Sequence, residues 1–197
     1  MKNKFILGVT GPIASGKDEA CRMLAKNGFL IINADREGHR ILRDDQRCKA
    51  ALVKAFGKEI LAPSGAVSRK KLGGIVFGSR RALKILDAIV HPYLRGRIRH
   101  IIKTSKRNRI CINAAVLKEI GFVNDTDRVM LLTASKGLRM KRLMRGRGMD
   151  RLQALSVIKS QPDDKAYLRI SDITVVNNGT MAGLMKKIGK VLTGISS

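Results

Sequence analysis

Phe5-Ile-Leu-Gly-Val-Thr10, running directly into Gly11-Pro-Ile-Ala-Ser-Gly16-Lys17-Asp18, decides the fold. The first six residues are a short apolar run of the kind a buried strand requires. The next eight form a turn in which two glycines flank a four-residue spacer and a lysine follows. Beyond it, Ala20, Met23 and Leu24 recur at helical spacing, so Gly16 to Lys26 is expected to be a helix. At a strand–turn–helix junction of this kind, backbone N–H groups converge on one small volume and favour an anion. The lysine adds an ammonium able to reach terminal phosphates. Gly11, Ile13, Ala14, Ser15, Gly16, Lys17 and Asp18 are therefore the candidate phosphate-binding residues. The strict form of this pattern has Ser or Thr after the lysine, to hold Mg²⁺. This chain has Asp18, a hard oxygen ligand that could hold Mg²⁺ directly and that suits a helix N-terminus. Without metal it would repel nucleotide phosphates. The plainer alternative is a strand-to-helix turn that needs glycine for its backbone alone.

Working outward, Phe29–Asn33, Arg109–Asn113, Arg128–Thr133 and Ile173–Val176 are further short apolar runs. Helical stretches lie between them, and a last helix is expected over about Met181–Val191. Strands alternating with helices imply an α/β fold with a mostly parallel sheet of five strands. The stretch 36–108 is helical, with one turn-rich break at Ala62-Pro-Ser-Gly65. It is too long for a simple crossover and is expected to be a helical insertion covering one end of the sheet.

The chain has 197 residues, 44% hydrophobic and 28% charged, which excludes a disordered protein and suits one domain with a modest insertion. Forty Lys and Arg against 15 Asp and Glu give a formal charge of +25, so anionic partners are expected without saying which. Aromatics are only 4% and Trp is absent, which argues against base-stacking platforms. No motif that reads RNA or DNA is present, so nucleic acid is expected to bind only non-specifically, through net charge. Cys21, Cys48 and Cys111 are scattered and form no C-x-x-C pair, as in a reducing compartment. The N-terminal apolar run is too short for a signal peptide or a membrane span, and a cytoplasmic location is expected.

Asp35 ends the Asn33-Ala34-Asp35 step after the second strand, the edge where α/β proteins hold ligands. A carboxylate there can take a proton from an attacking hydroxyl or help to hold Mg²⁺; it can also simply cap the next helix. In Leu138-Arg-Met-Lys-Arg-Leu-Met-Arg-Gly-Arg147-Gly-Met, Arg139 and Arg142 are expected on one helical face, with Leu138 and Leu143 nearer the core. Such a segment could close as a lid and bring positive charge to a phosphoryl group, or be a solvated basic face. His91 before Pro92 reads as a structural turn. The basic run from Arg95 to Arg109 reads as a solvated helix face that could also attract phosphates.

Taken together, these segments resemble the dephospho-CoA kinase family. The phosphate loop, Leu30-Ile-Ile-Asn-Ala-Asp35, Gly65-Ala-Val-Ser-Arg69-Lys-Lys-Leu72 with Ile75-Val-Phe77, Ala88-Ile-Val-His91-Pro92, and Gln161 with Ser171-Asp172-Ile173 and Val176-Asn177-Asn178-Gly179 occur in the family's order, from about Phe5 to Gly179. The resemblance implies a P-loop kinase core over 1–35 and 109–197, with a lid at about 139–151, and a CoA-side helical insertion over 36–108. It implies transfer of a phosphoryl group from ATP, with Mg²⁺, to the ribose 3′-hydroxyl of dephospho-CoA. Asp35 then matches the catalytic base, Lys17 the loop lysine and Arg142 the first lid arginine, and Asn177 lines the adenine pocket; Gly146 falls where the family has its second lid arginine, with Arg145 and Arg147 on either side, and Arg147 is favoured for that role. Three positions depart from the family's pattern. Asn33 replaces the first Asp of Asp-Ala-Asp, Asn113 stands where many members carry Asp, and Asp18 replaces the loop Ser. Two rivals remain open: another small nucleotide kinase, and a basic nucleic-acid-binding protein on the same scaffold that no longer catalyses.

Overall fold

Strand β1, Phe5–Thr10, is buried from its second residue onward, so its backbone has to be paired on both sides. The computed structural model describes residues 4–195. In chain order the elements after β1 are α1 (Lys17–Lys26), β2 (Leu30–Asn33), α2 (Ala34–Asp44), α3 (Gln46–Phe56), α4 (Arg69–Phe77), α5 (Arg80–Thr104), β3 (Arg109–Asn113), β4 (Arg128–Thr133), α6 (Lys136–Arg147), α7 (Arg151–Lys159), α8 (Asp164–Leu168), β5 (Ile173–Val176) and α9 (Met181–Gly194). The sheet order is β2-β3-β1-β4-β5, with β1 in parallel register against both β3 and β4, and β4 parallel to β5. An α/β fold with helices flanking a five-stranded sheet is thus what the alternating pattern produces.

The chain divides into two compact units: residues 1–32 with 105–197, and residues 33–104. In the first unit, Leu7 and Val9 of β1, Cys111 of β3 and Met130 and Leu132 of β4 share a core with Ala20, Cys21 and Leu24 of α1 and Leu184 and Ile188 of α9. All three cysteines are free and buried. This core fixes the end of β1 and the start of α1, the two ends of the glycine-rich loop.

The second unit is helical. Cys48, Leu52 and Phe56 bury one face of α3, and Leu94, Ile98 and Ile102 one face of α5, at the spacing of an amphipathic helix. The break between α-helices is wider than Ala62–Gly65: it separates Phe56 from Arg69, holds a short 3-10 helix at Lys58–Ile60, and has Leu61 bridging Val67 across a tight turn. His91 and Pro92 do not form a turn. Both lie inside the 25-residue α5, where burial of the flanking apolar face outweighs the one hydrogen bond that proline cannot make. His91 Nε2 lies 3.6 Å from Asp87 one turn earlier. Glu37 of α2 is buried and pairs with Arg40 at 2.7 Å and with Arg97 of α5, so two of this unit's many cations are committed internally.

Candidate functional site

The loop between β1 and α1 begins at Gly11, whose φ of 137° suits glycine and whose absent Cβ would drive into the Leu132 carbonyl of β4. It ends at Gly16, with φ 102°, where a Cβ would collide with the Asn177 side-chain amide. Between them Ala14 has φ 58°, a left-handed conformation that costs an alanine about 1 kcal/mol. Something must hold it there.

The holding groups come from far along the chain. Arg142 of α6 donates to the carbonyl of Ala14 at 3.0 Å, more weakly to that of Ser15 at 3.4 Å, and to the Asn177 carbonyl at 3.0 Å. The Asn177 side chain, buried just after β5, donates to the Ser15 carbonyl at 2.9 Å. Gln161 accepts from the Ile13 N–H at 2.6 Å. Lys17 folds its ammonium back over the loop, 2.7 Å from the Gly11 carbonyl and 3.0 Å from that of Pro12. A trans peptide is rigid, so holding the Ser15 carbonyl towards Asn177 aims the Gly16 N–H the opposite way. Ser15 Oγ is buried without a hydrogen-bond partner among the described residues. An orphaned hydroxyl, turned N–H groups and a lysine on one loop suit a phosphate.

Asp18 lies exposed in the first turn of α1, where negative charge is favoured. Its Oδ1 accepts a 3.0 Å hydrogen bond from Asn113 Nδ2, at the end of β3. Among the described residues no three His, Cys, Asp or Glu side chains gather to hold a metal. Mg²⁺ does not need such a cage: it keeps several waters and takes one or two carboxylates together with substrate phosphates. Asp18 beside the phosphate loop fits that donor set.

Gly11, Ile13, Ala14, Ser15, Gly16, Lys17, Asp18, Arg142 and Asn177 thus lie together in the first unit. Asp35 belongs to the second unit, not to the end of a strand: β2 stops at Asn33, whose side chain caps α2 by accepting from the Arg36 N–H at 3.0 Å. Asp35 is exposed in the first turn of that helix, so the cap is Asn33, and the carboxylate is left outward. Arg147, the last residue of α6, is exposed.

The expected lid face is corrected at Arg139. That residue is 4% exposed and shares the buried face of α6 with Leu143, while Leu138 is only half-buried. Positions four apart stack on one face, and Arg139 is kept there by Asp164, 3.3 Å away at the start of α8. Nearby in sequence, Tyr167 is buried with its hydroxyl unpartnered among the described residues. Burial, reinforced by the charge of Glu119, pushes that phenol up to about 12. The sequence also gave no warning that Asn178 Oδ1 accepts from the Ser135 N–H at 2.8 Å, just before α6, or that Gln161 reaches the loop. Nothing in periodicity marks such a contact, and only order along a family pattern singled out Gln161.

No helix among the described residues is long and apolar enough to cross a membrane. The family model for dephospho-CoA kinase matches residues 5–183. A dephospho-CoA kinase of Dehalococcoides mccartyi is 36% identical over 88% of this chain and 88% of its own length. The structure of a dephospho-CoA kinase from Campylobacter jejuni superposes with a TM-score of 0.69 at 26% identity, covering 97% of this chain and 96% of the other. A Thermus thermophilus structure, 23% identical and matched over 100% of both chains, has the same fold with a TM-score of 0.83.

Proposed function

Because the chain belongs to the dephospho-CoA kinase family, we propose that it transfers the γ-phosphoryl group of ATP to the ribose 3′-hydroxyl of dephospho-CoA, releasing ADP and CoA. The observation that carries this is the loop itself: a strand-to-helix turn with Lys17 folded over it and its carbonyls tied off by Arg142 and Asn177.

Phosphoryl transfer asks little covalent chemistry of a protein and much positioning and charge neutralisation. Lys17 exchanges the Gly11 and Pro12 carbonyls for the terminal phosphate oxygens of ATP. The turned N–H groups of the loop, Ser15 Oγ and the N-terminus of α1 bind the remaining phosphate charge. Asp35, exposed and acceptor-only, takes the proton of the attacking 3′-hydroxyl as the new P–O bond forms and the bond to the ADP oxygen breaks. Mg²⁺, when bound, would offset phosphate charge in the transition state, with Asp18 and Asp35 as the carboxylates nominated to hold it. Arg142 shapes the loop and supplies positive charge close to it. Arg147 is assigned to the phosphoryl group only when the segment 139–151 closes as a lid.

In this reading residues 1–35 and 109–197 hold ATP, residues 36–108 receive the CoA portion, and the protein works in the cytoplasm. The excess charge gives non-specific polyanion binding and nothing more selective. ADP release from Mg²⁺-ATP, with and without dephospho-CoA, tests the assignment directly. Release should depend on the acceptor and should fall on the order of 10²-fold or more in Asp35→Asn. Acceptor-independent release would refute the substrate; full turnover in Asp35→Asn would remove the base.

A further inference from the structure

We propose that Asp18 and Asn113 are an exchanged pair, in which the carboxylate that phosphate-loop enzymes take from the strand beside the loop is supplied from the first turn of α1, and Asn113 aims it. The inference rests on the nucleotide-binding reading of the loop and specifies which residue carries charge there.

In such enzymes a hydroxyl follows the loop lysine, and an Asp on a neighbouring strand provides the second group on the metal side. This chain departs at both positions, in opposite senses. Position 18 has gained a carboxylate and position 113 carries its uncharged amide counterpart. The two side chains are hydrogen-bonded to each other, Asn113 Nδ2 to Asp18 Oδ1 at 3.0 Å. A carboxylate only accepts, so the amide must present its NH₂ side to it. Were residue 113 also Asp, two like charges would stand at contact distance and neither would ionise freely. Each departure therefore accounts for the other, and the pair keeps one negative charge.

The geometry also gives the amide a fixed seat from which to aim the carboxylate. Asn113 is 4% exposed, and its backbone is in register with Val9 of β1, whose carbonyl accepts from the Ala114 N–H at 3.0 Å. It is a rigid, nearly dry platform from which the amide donates to Asp18. Asp18 is exposed and keeps the helix N-terminus behind it, so it bears charge at less desolvation cost. Asn113 is a positioning residue: it acts on a cation only through Asp18.

The test is a double-mutant cycle read by equilibrium binding, with no acceptor and no turnover. ADP affinity is measured by calorimetry in Mg²⁺ and in EDTA for wild type, Asp18→Ser, Asn113→Asp and the combined Asp18→Ser/Asn113→Asp protein, with melting temperature recorded for each. Asp18→Asn, nearly isosteric, serves as a second variant in case the serine protein folds poorly. The Mg²⁺ enhancement of ADP affinity should fall on the order of tenfold or more in Asp18→Ser and in Asp18→Asn. It should return to within roughly threefold of wild type in the combined variant, a non-additivity that a merely structural contact would not produce. An undiminished enhancement without the Asp18 carboxylate overturns the proposal, as does a combined variant no better than Asp18→Ser. Either failure leaves the kinase reading intact if wild type still binds Mg²⁺-ADP. A wild-type chain that binds no ADP in either buffer overturns both.

Discussion

Truncating Arg142 removes the guanidinium that joins α6, the end of β5 and the phosphate loop. Its two good bonds, to the Ala14 and Asn177 carbonyls at 3.0 Å each, are charge-assisted; the third, at 3.4 Å to Ser15, lies at the edge of hydrogen-bonding range and counts for little. Hydrogen bonds to charged groups contribute about 1.5–3 kcal/mol each, and Arg142 is half-buried, so water can replace part of what is lost and the lower figure applies. The expected loss is about 3 kcal/mol. Ala14, at φ 58°, is the residue most ready to relax once released. If the loop must be reordered whenever a phosphate binds, about 3 kcal/mol appears as roughly a hundredfold weaker ADP binding. Calorimetric titration of Arg142→Ala with ADP measures this directly. Arg142→Lys keeps the charge but not the fork that spans two separate carbonyls, and should lie much nearer Arg142→Ala than wild type. Wild-type ADP affinity in Arg142→Ala, with turnover alone reduced, would refute the reasoning and return Arg142 to the transferring phosphoryl group. Wild-type affinity in Arg142→Lys alone would mean that charge matters there and geometry does not.

Gly11→Ala should cost roughly 3 kcal/mol or more, because a Cβ at φ 137° meets the Leu132 backbone and a central strand has to shift; a thermal melt should fall on the order of 10 °C. Gly16→Ala meets only the end of the Asn177 side chain, so it should melt closer to wild type while losing ADP affinity with the Asn177–Ser15 bond. For Tyr167, the phenol is held neutral up to about 12 in the folded chain against an ordinary value of 10. Between those values the unfolded chain has given up a proton that the folded chain keeps, so stability is fully present below pH 10 and declines by about 1–2 kcal/mol as pH rises through that window, solvent screening taking part of the full effect. Tyr167→Phe should flatten that decline in denaturant titrations and, having no unpartnered hydroxyl to bury, should be no less stable at pH 8; a decline as steep as in wild type would exclude Tyr167 as its source.

What the sequence made legible follows from the range of the forces involved. Phe5–Thr10, Arg109–Asn113 and Arg128–Thr133 are strands at the bounds their apolar runs indicate, because a strand buried on both faces has no polar alternation to blur its ends; Ile173–Val176 also keeps its bounds, as an edge strand with Thr174 and Val176 exposed. Phe29 drops out of β2 for a local reason invisible to an apolar count: its N–H closes the end of α1 on the Leu24 carbonyl, 3.1 Å away. No turn forms at His91-Pro92, because the apolar face of α5 on either side outweighs the proline's local preference. Arg139 departs from the expected face for the same kind of reason. Its charge suggests an exposed face, but it sits four residues before Leu143 and finds Asp164 from another helix.

The loop shows where sequence reading reaches its limit. Its glycines and lysine are local, and their spacing announces an anion site. What gives the loop its shape is not local: Arg142, Asn177 and Gln161 arrive from 128, 162 and 148 residues away to tie down two carbonyls and one N–H. Net charge is no guide to which of forty cations does this, since a field summed over the whole surface draws in any polyanion alike. Selection begins at hydrogen-bonding distance, where a fork of fixed geometry distinguishes two carbonyl oxygens and a flexible ammonium does not. Raising the salt concentration should therefore weaken polynucleotide binding steeply and Mg²⁺-ADP binding much less, because the first depends on the summed field and the second on groups held within about 3 Å of their partners.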